Sequence, residues 1–174
     1  MIKRILNTLE SFGGKINDTL DSGYYTEFSN LVITAKATRN IVSDINVMLL
    51  QIMNHEPINT KWEKINSLTF KDIDALSSFI SVMCTSAQDE LYNANARLLD
   101  VSNNHTLSNA ESSMYALCNE LLSSLNFVKL YLKEVNKHPE NWSFNSIESF
   151  SCTIYYMNQT LIDYFDKELK KITG

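Results

Sequence analysis

The chain has 174 residues, 44% of them hydrophobic, and its 15 basic and 20 acidic side chains leave a formal net charge of −5. That apolar share supports a core at a length suited to one domain, while four Gly and two Pro are too few for an all-β or linker-rich chain. No apolar run approaches the roughly 20 residues that span a bilayer, and the acidic balance disfavours a nucleic-acid binder, which carries a basic stripe.

Ile2, Ile5, Leu6, Leu9, Phe12, Ile16 and Leu20 recur at helical spacing. The pattern predicts an N-terminal amphipathic helix over residues 2–20, weakened by about 1 kcal/mol at each of Gly13 and Gly14. Ser22-Gly23 stops it. Lys3 and Arg4 precede only Ile5 and Leu6 before Asn7, Thr8 and Glu10 break the apolar run. A secretory segment needs about 7 to 15 apolar residues, so the expected location is cytoplasmic.

The second pattern is Phe28, Leu31, Ala35, Thr38, Val42, Ile45, Leu49 and Ile52, with Ile41 and Met48 widening it. Steps alternating between three and four mark the inward face of a bundle helix, expected over residues 24–54 and closed by Pro57. Residues 55–69 form the longest connection, in which Trp62, Ile65 and Leu68 suggest a short helical turn. Thr69 and Asp72 have capping-box spacing and open a third pattern: Ile73, Leu76, Ile80, Met83, Ala87, Leu91, Ala94, Leu98 and Val101. After a polar loop to Thr106, Ser108 and Glu111 form a second box. The helix that follows runs to about Lys137 on Met114, Leu117, Leu121, Leu125, Val128, Tyr131, Leu132 and Val135. His138-Pro139 ends it. Asn145 with Glu148 is read as the cap of the last helix, whose stripe is Ile147, Phe150, Ile154, Met157, Leu161, Tyr164, Phe165 and Leu169.

Short connections make sequential helices antiparallel neighbours. The expected fold is therefore all-α: an elongated, antiparallel (up-down-up-down) bundle of four long helices over residues 23–174, plus the N-terminal amphipathic helix over residues 1–22.

Catalytic and metal-binding chemistry finds little support in the pattern. Di-iron bundles need Glu-x-x-His on two helices, whereas His55, His105 and His138 all fall at helix ends or in loops. Cys84, Cys118 and Cys152 lie in apolar helical stretches with no His nearby in sequence, which reads as buried reduced thiols. Their uniform 34-residue spacing does not extend to other columns, so it is no tetratricopeptide repeat. No Gly-rich phosphate loop is present. The four N-x-S/T sequons, at Asn17, Asn104, Asn141 and Asn158, are no more than composition yields by chance. No catalytic residue, metal ligand or cofactor is assigned.

What remains is surface. Residues 70–101 carry a net −3, with Asp89 and Glu90 as the candidate docking charges. In the last helix Tyr155 and Tyr156 cannot both point inward, and Tyr is enriched at interface hot spots. The functional expectation is a non-enzymatic protein acting by protein–protein contact through Asp89, Glu90, Tyr155 and Tyr156, as small acidic inhibitors, immunity or anti-defence proteins and adaptors do. The alternatives are a membrane-surface or groove-binding adaptor using the N-terminal helix, with Lys3, Arg4 and Lys15 beside its apolar face, and a helical sensor holding a small ligand in its core.

Overall fold

The three-and-four spacing becomes four long helices in the computed structural model, which describes residues 22–101, 109–138, 140 and 143–174. They are α1 (Ser22–Met53), α2 (Ile73–Val101), α3 (Asn109–Lys137) and α4 (Phe144–Thr173). At 1.5 Å per residue each is a rod of about 44–48 Å. The chain is an all-α helical bundle among its described residues. No described helix is long and apolar enough to cross a membrane. The helix expected over residues 2–20, the loop to Thr106 and the Ser108 cap lie outside the described residues.

All eight seam residues of α1 are buried, from Phe28 to Ile52. So is the complete stripe expected for α3, joined by Cys118 and Leu122. In α2 the core row runs Leu76, Ile80, Cys84, Ala87, Leu91, Ala94 and Leu98. The double four-residue step thus falls at Leu76–Ile80–Cys84, and Cys84 takes the place that spacing gave to Met83. Its small side chain fits where α2 meets α3, leaving Met83 half-buried against the core.

Helix ends follow local chemistry. Thr69 accepts the Lys71 backbone N–H while the Asp72 carboxylate accepts the Thr69 N–H at 2.8 Å, the reciprocal box expected from their spacing. Before α4 the cap is Ser143, whose Oγ accepts the Ser146 N–H at 3.2 Å. That corrects the Asn145–Glu148 reading: the turn begins two residues earlier, so Asn145 already lies inside the helix. At the end of α1, His55 takes the left-handed conformation (φ 59°). Its N–H bonds to Ile52 and that of Glu56 to Gln51, a Schellman arrangement with His where Gly is usual.

The α1–α2 connection is held by its own bonds. Ile58 and Leu68 are joined through backbone N–H···O at 2.8 Å, and the Asn66 side chain bridges to Thr60. Ile65 is buried in a 3-10 turn, Glu63–Ile65, and Trp62 stacks edge-on against Phe79 of α2. At this end of the molecule His55, Phe70 and Phe144 gather with ring centroids 4.1–5.9 Å apart.

Polar pairs tie the helices to one another. Arg39 forms a bidentate pair with Asp166, at 2.9 and 2.6 Å, and Asn46 donates to the Tyr155 carbonyl at 3.1 Å. Arg97 of α2 reaches Glu27 of α1 at 3.2 Å. At the start of α1, the Tyr24 hydroxyl donates to the buried Glu111 carboxyl group at 2.9 Å. α1 packs along α2 and α4, and α3 along the same two helices, so α2 and α4 occupy opposite corners.

Candidate functional surface on α3 and α4

The core face of α4 consists of Ile147, Ser151, Ile154, Asn158, Ile162, Phe165, Leu169 and Ile172. Two of these are polar. Beside the face runs a second row at seven-residue intervals, Phe150, Met157 and Tyr164, which are 44%, 51% and 48% exposed. Seven residues are almost two helical turns, so the three side chains leave the same side of the helix. The sequence pattern had assigned all three to the core. The bundle corrects this: α4 carries more apolar width than its two neighbours cover, and Ile162, absent from the expected stripe, is buried instead.

This surplus row faces the flank of α3. Phe150 stacks on Tyr131 at 5.3 Å with ring planes 4° apart, and Tyr131 is itself buried. Burial raises the Tyr131 phenol above its usual pKa, an effect opposed by its contact with the Ser151 hydroxyl. Further along, Phe127, Ser123 and Glu120 of α3 and Met157 and Leu161 of α4 enclose an open groove of about 250 Å³. Its floor contains a polar pair: Ser124 Oγ donates to Asn158 Oδ1 at 2.6 Å. Asn158 is 3% exposed, and its Nδ2 is buried without a partner. A glycan cannot be attached to a side chain so enclosed, which removes the Asn158 sequon in this fold.

No family model, curated protein or solved structure matches this chain.

The four residues picked out from sequence do not form one surface. Asp89 and Glu90 are exposed on α2, at the corner opposite α4. Tyr156 is 63% exposed, whereas Tyr155 is half-buried with its ring edge-on to Tyr156 at 5.4 Å. The row that sequence reasoning missed had a legible signal. Ser151 and Asn158 are spaced by seven, each one residue after Phe150 or Met157, and are the two polar members of an otherwise apolar core face.

The cysteines divide two to one. Cys84 and Cys118 are buried, and desolvation pushes both thiols up to about 12, with the nearby Lys129 charge partly opposing the rise at Cys84. They are protonated thiols at neutral pH, poor nucleophiles and poor metal ligands. Cys152 is only half-buried, because it lies at the edge of the α4 core face rather than within it. Of the histidines, His55 packs on Phe144, His138 Nδ1 lies 3.4 Å from Glu140, and His105 is outside the described residues. Among the described residues no three His, Cys, Asp or Glu side chains gather as a metal site would require.

Proposed function

We propose that this chain is a cytoplasmic, non-enzymatic, up-down-up-down antiparallel bundle that binds a partner protein through α4 and the adjoining flank of α3. The observation carrying this reading is the Phe150–Met157–Tyr164 row, three large apolar side chains left about half-exposed along one line beside an apolar groove. Isolated exposed apolar residues are ordinary, but a contiguous patch favours protein contact. Aromatic and Met side chains are also enriched at interface centres. The antiparallel order rests on the pairs Arg39–Asp166 and Asn46–Tyr155, in which later residues of α1 meet earlier residues of α4. Inhibitor, immunity protein and adaptor remain the class of role such a surface serves. Tyr156, on the outer side of the same helix, extends the contact; Asp89 and Glu90 lie too far around the bundle to share it and serve a second contact.

The test is a capture experiment with the full chain and a Phe150→Ser/Met157→Ser/Tyr164→Ser variant. The expected result is a host protein retained by the first and lost from the second, confirmed with that protein purified, while circular dichroism shows the helices retained. A partner held equally by both, but lost on Asp89→Lys/Glu90→Lys, would transfer the function to α2. Loss of the partner on removal of residues 1–20 alone would transfer it to the N-terminal segment.

A further inference from the structure

The other flank of α3 has the opposite character. Lys129, Lys133 and Lys137 follow one another at four-residue intervals and line a groove shared with Ser77, Ser78 and Ser81 of α2. The groove has a volume of about 670 Å³, inside the ~300–1,000 Å³ range of small-ligand sites. No carboxylate lines it, although the chain as a whole carries −5. Glu134, next to Lys133, and Asp74 and Glu140, each three residues from the lining, are the acidic groups closest to it in sequence, and none forms an ion pair with the three lysines.

Three details make this more than a row of surface cations. Lys129 is partly buried, and its ammonium donates to the neutral Gln88 Oε1 at 3.1 Å. Gln88 is itself buried and anchored by its Nε2 on the Leu122 carbonyl at 3.3 Å, so the lysine is positioned from behind without being neutralised. Like charges at four-residue spacing on one helix repel and weaken it, a penalty that an anion across the row removes. Finally, the remaining polar lining is rich in donors. The Ser77 hydroxyl is committed to the Ile73 carbonyl, but those of Ser78 and Ser81 are free of any such bond, and Asn126 and Asn136 add amide groups.

We propose that the α2–α3 groove binds a multiply phosphorylated small molecule, its phosphate oxygens taken by Lys129, Lys133 and Lys137 and by the Ser78 and Ser81 hydroxyls. Phosphate concentrates several charged acceptor oxygens in a small volume, matching ammonium and hydroxyl donors set around one cleft. Val82 and Leu130, both largely exposed at the groove, give an organic portion of the ligand an apolar surface. The site is independent of the α3–α4 surface.

Titration calorimetry of the full chain with sodium tripolyphosphate tests it. Binding is expected to weaken about tenfold in each of Lys133→Gln and Lys137→Gln, as for a lost charge-assisted hydrogen bond. A control, Lys167→Gln/Lys170→Gln on exposed positions of α4, is expected to bind as the unaltered chain does. Ser78→Ala/Ser81→Ala is expected to weaken binding without changing the net charge. ATP binding tighter than tripolyphosphate assigns the organic part to Val82 and Leu130; equal binding assigns the site to the phosphate chain alone. The proposal is overturned by no binding at about 1 mM tripolyphosphate, by equal losses in the α4 control, or by a glutamate-rich peptide binding as well as tripolyphosphate. Melting temperatures of each variant without ligand show that the fold is retained.

Discussion

At Cys84 and Cys118 a single atom's surroundings set a measurable property of the protein. Both side chains are fully buried in the core, and burial pushes each thiol from the ordinary 9.0 to about 12. The folded state therefore holds a proton that the unfolded state releases above pH 9. Stability is fully present below that pH and declines between pH 9 and 12, by on the order of 1 kcal/mol per pH unit for each thiol. Urea unfolding at pH 8 and pH 10.5 is expected to show this decline, with a shallower slope in Cys118→Ala. A thiol reagent at pH 8 is expected to modify Cys152 first, because it alone is half-exposed. Rapid reaction at Cys84 in the folded chain would show that the core opens locally or that the thiol is activated.

At the scale of the element, α4 shows what a helix leaves outside when polar residues occupy part of its core face. With Ser151 and Asn158 inward, Phe150, Met157 and Tyr164 are left about half-exposed. The cost is concentrated at Asn158, whose amide nitrogen is buried without a partner while its oxygen accepts from Ser124. Asn158→Ala strands the Ser124 hydroxyl and opens a cavity, and is expected to lower stability by about 1–3 kcal/mol. Replacing both partners, as Ser124→Ala/Asn158→Leu, is expected to match or exceed the starting stability, since no buried polar group is then left unpaired. Thermal melts distinguish the two outcomes; a double variant as unstable as the single one would mean that the pair contributes a net stabilising bond.

At the scale of the whole molecule, few polar bonds fix how the rods sit against one another. The apolar rows are long and repetitive, so hydrophobic burial alone tolerates a shift of one helix along its neighbour. Arg39–Asp166 breaks that degeneracy between α1 and α4, because a bidentate pair requires one register. A double-mutant cycle with Arg39→Ala and Asp166→Ala is expected to yield a coupling of about 1 kcal/mol, the upper end for a partly exposed pair. A coupling of zero would assign the register to packing and to the Asn46–Tyr155 carbonyl bond.

The four helices, their boundaries to within a few residues, the Thr69–Asp72 cap and the central seams of the α1 and α3 cores are determined by the sequence alone. Each is a local property: apolar periodicity, a side chain reaching its own backbone, or a proline that cannot continue a turn. That Tyr155 and Tyr156 cannot both be buried belongs here too, since neighbours 100° apart on a helix cannot both face inward; that Tyr156 is the exposed one was decided by the packing of the helix. Tertiary structure decided which side of the wide α4 stripe is covered. Apolarity marks Phe150 and Ile154 alike, and only the position of α3 separates the exposed residue from the buried one. It likewise brought Ser78 and Ser81 opposite the lysine row, whose four-residue spacing is visible in the chain. No local rule sets the register of α2 on α3, because that register emerges from residues tens of positions apart packing at once.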